Sequence, residues 1–292
     1  MRRPSTTSDM PMILDDSSSA SSMNISHLVI SPATVQDARR LVDIEFHAFE
    51  NERANQQLSY RDYAKPEHFE RTVNIYTGMM DASVAQDPYP KLAVRRRADS
   101  GLEPAMMLNT TVSFLKVTNV EIGETLSFAK TEIKQYTRKE LLEPCDIGHE
   151  HEPQMNRDWF ALNERLRREY VGLAEHCYIG MLATLPCHQH NGAGTILLNT
   201  ILSDADDAGL MVYLEATDTA KPLYEKHGFV AVNEVRFNPA DYGVLDLGRE
   251  RQTVMVRGAL DEDGLRQQVR AWELVVAQAN PIYSPPPAPS DG

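Results

Sequence analysis

A short apolar run from His27 to Ser31 is followed, from Val35 to Glu50, by apolar residues Leu41, Ile44 and Phe46 at helical spacing. Strand then helix opens the folded part. A second helix is expected over Pro66 to Met80, with strands at Leu92-Ala93-Val94 and Thr111 to Val117. A turn at Ile122-Gly123-Glu124 then leads into a strand from Leu126 to Ile133. Trp159 to Leu173 again has helical spacing through Phe160, Leu162, Leu166 and Tyr170, with Gly172 near its end. Cys177 to Leu185 reads as a buried strand that runs through Pro186 into Gly192-Ala193-Gly194. There Ile196, Leu197 and Ile201 mark the apolar face of a helix closed by Gly209. Met211 to Ala216 is a further strand. Asp218 or Thr219 is placed to cap a helix with Pro222 in its first turn and Gly228-Phe229 at its end, and Val230 to Val235 and Thr253 to Arg257 supply the last strands. A strand meander that gives way to strands alternating with helices predicts an α/β or α+β sheet with helices on its faces.

Two flanks depart from this pattern. Residues 1–24 are rich in Ser, Thr and Asp and offer little apolar surface to offset the entropy of ordering, so a flexible N-terminal tail is expected. Residues 259–292 are expected to form a C-terminal helix and a Pro-rich tail, since Pro281 and Pro285-Pro286-Pro287 suit neither helix nor central strand. Residues 25–258 then form one domain, with no internal repeat of solenoid length.

Composition narrows the partners. The 292 residues carry a formal net charge of -13, against the surplus of Lys and Arg that gripping a phosphate backbone needs, so no nucleic-acid partner is expected. No run of about 18 apolar residues occurs, and Met1-Arg2-Arg3-Pro4 leads into polar residues, so neither membrane partner nor secretion signal is expected. The three cysteines, Cys145, Cys177 and Cys187, form no disulfide framework, which fits a reducing, cytoplasmic setting.

The chemistry concentrates after the Cys177 to Leu185 strand. A helix N-terminus has free N–H groups and a positive dipole end, and a preceding glycine loop lets a pyrophosphate approach the main chain closely. Gln189-His190-Asn191-Gly192-Ala193-Gly194 supplies that arrangement, although a structural turn would explain the glycine pair alone. The dinucleotide fingerprint does not fit, because Leu197 stands where its third glycine belongs, and no Gly-Lys-Ser/Thr follows for a nucleotide-phosphate loop.

Pro186-x-x-Gln189-x-x-Gly192-x-Gly194 resembles the acetyl-CoA motif of the GNAT acetyltransferases, Gln or Arg, two residues, Gly, one residue, then Gly or Ala. Tyr178 to Pro186 is similar to the fourth strand of that family. Tyr213-Leu214-Glu215-Ala216 with Pro222-Leu223-Tyr224-Glu225-Lys226-His227-Gly228-Phe229 is similar to its fifth strand and next helix. The resemblance is closest to fungal members and is strongest over 176–232. It implies a central mixed, mostly antiparallel sheet, flanked by helices and splayed at the acetyl-CoA site. It further implies that the backbone of Leu182, Ala183, Thr184 and Leu185 holds the pantetheine arm, that Gln189, His190, Asn191, Gly192, Ala193, Gly194 and Thr195 hold the pyrophosphate, and that Tyr224 stands beside the sulfur. His190 and Asn191 depart from the basic or glycine residues common there.

The implied activity is N-acetyl transfer from acetyl-CoA to a primary amine of a small molecule or peptide, by direct attack in a ternary complex. A noncatalytic acyl-CoA-binding regulatory module is the rival. Tyr224 would protonate the departing thiolate, whose pKa of about 8.5 lies below the phenol's pKa of about 10. A base for the acceptor ammonium is less legible. The family's histidines on the fourth strand correspond to Tyr178 and Gly180, leaving His176 or Glu175 as substitutes or as plain strand-edge polar residues. The run Cys145 to Glu152 contains metal-ligating residue types without finger spacing, and its bounding Pro144 and Pro153 read as an exposed acidic loop, so no metal is expected.

Overall fold

The computed structural model of the chain describes residues 26–60, 65–84, 110–142 and 154–269. The expected strand at 92–94, the run 145–152, the N-terminal tail and residues 270–292 lie outside the described residues. Seven strands form one sheet in the order β1-β2-β3-β4-β5-β7-β6. They are β1 Leu28–Pro32, β2 Thr110–Asn119, β3 Glu124–Lys134, β4 His176–Thr184, β5 Met211–Ala216, β6 Val230–Phe237 and β7 Glu250–Arg257. Every neighbouring pair is antiparallel except β4 with β5, so the sheet is mixed and mostly antiparallel, as expected. Its helices are α1 Ala38–Ala48, α2 Arg53–Ser59, α3 Pro66–Val84, α4 Arg138–Leu142, α5 Gln154–Val171, α6 Ala193–Asp207 and α7 Lys221–Lys226.

The strand period of two sorts side chains between two layers. Val212 and Leu214 of β5, with Val117, Ala129, Cys177 and Ile179, pack against Leu197, Leu198, Ile201 and Leu202 of α6. Tyr213 points to the opposite layer, where it joins Trp159, Leu166 and Val171 of α5 and Val254 and Val256 of β7. Further along that face Leu41 and Ile44 of α1 and Tyr76 and Met80 of α3 cover Phe114, Phe128 and Ala183. Each fully buried leucine contributes about 1.5–3 kcal/mol of transfer free energy, which holds α6 firmly against the sheet.

Local signals explain the element ends. Gly123, at φ 70°, makes the turn between β2 and β3. Gly209, at φ 64°, closes α6 as expected, and the N–H of Leu210 donates to Ala205 O at 2.8 Å across the stop. The cap of α7 differs from the sequence expectation. Ala220 occupies it, and Thr217 O accepts the N–H groups of Ala220 and Lys221 at 3.1 and 3.0 Å, while Asp218 turns outward to Arg251. Beyond β7 the described chain makes a turn pinned by a single bridge between Leu260 and Arg266.

Candidate functional site

β4 and β5 run side by side for only three register pairs, His176 with Met211, Cys177 with Val212 and Tyr178 with Tyr213. Beyond them β4 continues to Thr184 bonded to β3 alone, and β5 continues to Ala216 bonded to β7 alone. The sheet is therefore split between its two parallel strands, and the β4 edge facing the split carries unpaired main chain.

A bulge accompanies the split. Lys130 of β3 pairs with Met181 and Thr131 with Ile179, which leaves Gly180 as an extra residue. One extra residue exchanges the faces of all that follow. Cys177 and Ile179 pack under α6, whereas Met181 and Ala183 face α1 and α3. Glycine suits the position because a Cβ there would lie 3.0 Å from Tyr178 Cε1 and 3.1 Å from Lys130 Cε.

At the end of β4 the chain makes a tight turn over Pro186–His188, passes His190 at φ 62° and Gly192 at φ 86°, and enters α6. The left-handed conformation at Gly192 is one that only glycine adopts without strain. No side chain caps α6, and its first intrahelical bond is Ile196 N–H to Gly192 O at 2.9 Å. The N–H groups of Ala193, Gly194 and Thr195 thus have no partner within the helix. A Cβ on Gly194 would meet Thr184 Oγ1 at 3.6 Å, an ordinary contact, so the glycine leaves open space beside these donors. Gln189 turns back on the strand, its Nε2 donating to Thr184 O at 3.3 Å. Ser127 fixes the same strand end, with its Oγ 2.7 Å from both Ala183 O and Thr184 Oγ1. The pattern of open donors and unpaired strand edge fits a phosphopantetheine arm.

The split opens into a cavity of about 450 Å³. Ile179 to Leu182 form one wall, Glu215 to Thr217 with Tyr224 a second, and Trp159, Asn163 and Arg167 of α5 a third, while Tyr60 and Tyr76 close the far side. Its charges come in facing sets. The Arg167 guanidinium lies 3.4 Å over the Tyr178 ring, with Nη1 3.5 Å from Glu164 Oε2 and Nη2 4.0 Å from Glu215 Oε1. Lys130 Nζ stands 3.4 Å from Glu132 Oε1 and Lys134 Nζ 3.8 Å from Glu164 Oε1. Burial raises the Glu215 carboxyl above the ordinary carboxylate range, partly opposed by the Arg167 charge. At Glu132 burial also pulls upward, but Lys130 and Arg167 win and hold it below that range. Glu215 Oε1, Tyr213 Oη, Asn163 Oδ1 and Arg167 Nε are buried without a hydrogen-bond partner among the described residues.

The expected site residues separate into two groups. Tyr224 lines the cavity from α7, is 6% exposed, packs edge-on against Phe229 at 5.5 Å, and has its hydroxyl pKa pushed well up by burial. His176 and Glu175 sit at the paired end of the split. Glu175 is exposed. His176 is fully buried, stacks on Tyr136 at 5.7 Å, donates its Nδ1–H to Ala174 O at 3.1 Å, and leaves Nε2 without a hydrogen-bond partner among the described residues. Burial lowers its pKa to about 4. The residues that the sequence reading missed are Arg167, Glu132 and Glu215 of the cavity and Glu45 behind it. Glu45 alone left a signal, since it stands four residues after Leu41 on the apolar stripe of α1. Among the described residues no group of three or more His, Cys, Asp or Glu is placed to hold a metal ion. No helix of the described residues is long and apolar enough to cross a membrane.

Residues 153–239 match the family described as "Acetyltransferase (GNAT) domain". No curated protein sequence matches the chain at a significant level. Among solved structures, the C-terminal condensation domain of Ebony in complex with beta-alanyl-dopamine is 11% identical, with a TM-score of 0.51 over 78% of this chain and 97% of that one. The mosquito arylalkylamine N-acetyltransferase like 5b is 13% identical, with a TM-score of 0.49 over 78% and 98%. A histone acetyltransferase HPA2 and related acetyltransferase from Corynebacterium glutamicum is 16% identical, with a TM-score of 0.43 over 83% and 98%. The chain has a GNAT-like fold, and its segment 153–239, running from the start of α5 to the end of β6, matches the GNAT acetyltransferase family.

Proposed function

We propose that this protein transfers an acetyl group from acetyl-CoA to a primary amine held in the cavity. The observation that carries this reading is the split between β4 and β5, which opens into the cavity lined by Tyr224 and whose strand β4 ends beside the open N-terminus of α6. In this reading the N–H groups around Gly192 to Thr195 bind the pyrophosphate, with Gln189, His190 and Asn191 forming the loop around it. Along Leu182, Ala183, Thr184 and Leu185 the main-chain groups that face the gap bond the pantetheine amides as an added strand would, Leu185 itself being tied to Leu126 O and His188 N–H. Tyr224 donates its proton to the departing thiolate, and the burial that keeps its hydroxyl protonated suits it to that role. An ammonium or amine is matched by the wall's carboxylates, among them Glu215, and by Asn163 Oδ1, which accepts no hydrogen bond among the described residues. A recessed cavity of about 450 Å³ favours a small-molecule amine over a folded protein surface. Tyr224 in the cavity wall favours turnover over a noncatalytic acyl-CoA-binding module. His176 and Glu175, at the paired end of the split, leave the proton acceptor to be found in or behind the cavity. Incubating the protein with labelled acetyl-CoA and a library of primary amines, with products read by mass spectrometry, tests the proposal. Labelled amides are expected, and CoA binding without any acetylated amine would replace it with the binding-module reading.

A further inference from the structure

Glu45 is a carboxylate in the hydrophobic layer of α1, 2% exposed between Ile44 and the packed helix α3. Among the described residues it has no ion-pair partner within 4.0 Å. Its Oε1 accepts the Tyr60 hydroxyl and its Oε2 accepts the Tyr76 hydroxyl at 2.5 Å. Both tyrosines line the main cavity, and Tyr60 also lines a second hollow of about 50 Å³ whose wall includes Glu45, Gln56, Asn55 and Ser59. That hollow has the size of a water site, mixes these polar side chains with Phe46 and Phe49, and shares Met181 of the split strand with the main cavity. Burying a carboxylate away from any cation is costly, and such groups concentrate where a proton has to be held.

We propose that Glu45 is the proton acceptor for the acceptor ammonium, reached from the cavity through the Tyr60 hydroxyl. This rests on the acetyl-transfer reading above. In the step, the Tyr60 oxygen takes a proton from the ammonium as its own hydroxyl proton passes to Glu45, which leaves a neutral amine and a carboxylic acid. The amine nitrogen then forms the N–C bond to the thioester carbonyl and the C–S bond breaks. Tyr224 gives its proton to sulfur and recovers the second proton from the nitrogen, and Glu45 returns its proton to solvent. Burial sets the Glu45 pKa at about 7, with the Tyr76 hydroxyl and the Lys130 charge pulling the other way. The titratable and charged groups that face it are Tyr60, Tyr76 and Lys130. Below pH 7 the acid form cannot accept a proton, so kcat/KM rises as pH passes upward through about 7.

The test uses the full chain and the best amine found in the product screen. Glu45→Gln keeps the shape and is expected to lower kcat by roughly 100-fold, remove the limb near pH 7 and leave CoA affinity unchanged. Tyr60→Phe should lower kcat to a similar level, and the double variant should fall no further, because the two groups act as one unit. A Glu45→Gln enzyme with wild-type kcat and an unaltered pH profile overturns the relay while the acetyltransferase reading stands. If Glu45→Gln does not fold, Tyr60→Phe decides, and wild-type turnover with the limb near pH 7 retained overturns the relay. A wild type that acetylates no amine overturns the acetyltransferase reading, and the relay with it.

Discussion

Arg257 and Asp206 meet through two parallel hydrogen bonds, Nη1 to Oδ1 at 2.7 Å and Nη2 to Oδ2 at 2.8 Å, which tie β7 to the last turn of α6. Arg266 adds two more at 3.0 Å and also donates to Gly258 O at 2.7 Å, so one carboxylate fastens the chain beyond β7 to the helix whose other end carries the glycine loop. Burial alone would raise the Asp206 pKa, but the hydrogen bonds and charges of Arg257 and Arg266 hold it at about 2 against an ordinary 3.8. A depressed carboxyl pKa stabilises the fold above pH 3.8, and that contribution disappears as pH falls toward 2. Asp206→Asn should therefore lose about 2 kcal/mol at neutral pH and close to nothing near pH 2. Urea midpoints at the two pH values check this, and equal midpoints at pH 7 would remove the clamp.

Gly194→Glu separates ligand binding from folding. Its Cβ meets Thr184 Oγ1 at an ordinary 3.6 Å, so the melting temperature should hardly move, whereas the new carboxylate would stand beside the donors proposed for pyrophosphate. CoA affinity should fall at least tenfold in calorimetric titration. Gly192→Val should lose both affinity and roughly 1–2 kcal/mol of stability, since valine is forced into the left-handed conformation at φ 86°. Unchanged affinity in a folded Gly194→Glu protein would move the cofactor elsewhere.

Tyr224→Phe keeps the ring that packs on Phe229 and removes only the hydroxyl. If that hydroxyl protonates the thiolate, kcat should drop about 100-fold with little change in apparent acetyl-CoA affinity. Steady-state kinetics on a variant with a native circular-dichroism spectrum gives the answer, and wild-type kcat would reduce Tyr224 to packing.

His176 offers a converse experiment. Burial lowers its pKa from 6.5 to about 4, so the folded state resists a proton that the unfolded chain accepts, and stability declines as pH falls from 6.5 toward 4. His176→Phe should stay within about 1 kcal/mol of the wild type at pH 7, where it forfeits one neutral hydrogen bond to Ala174 O, and should flatten that decline. Turnover should persist. A loss of two orders of magnitude in kcat would restore His176 as the base.

How much of this was legible depended on whether the signal is local. The strand, loop and helix from Cys177 to Gly209 could be read because backbone geometry demands glycine at Gly192 and an apolar stripe demands Leu197 and Ile201, both local rules. β5 matched its expected bounds, Met211–Ala216, for the same reason. α2 was missed because Arg53–Ser59 is too short and polar for periodicity to register. The acceptor side was illegible for a different reason. Arg167, Glu132 and Glu215 come from three elements, and only the folded sheet brings them around one cavity. The bulge at Gly180 is intermediate, since a glycine within a strand pattern hints at one without revealing which residues change face.

The three register pairs between β4 and β5 make the sheet two stiff panels sharing a short seam. Everything from β1 to β4 belongs to one panel and β5 to β7 to the other, and past Tyr178 no interstrand bond holds them at a fixed spacing. A thioester arm lying in the gap would supply that spacing itself, so the protein would borrow part of its rigidity from its own reagent. The amides of Ile179 to Thr184 that face the gap should exchange rapidly with deuterium in the free protein and slow by tenfold or more with CoA, whereas those bonded to β3 should not change. Hydrogen exchange read by mass spectrometry reports this, and uniform protection in both states would mean that the seam is closed without the reagent.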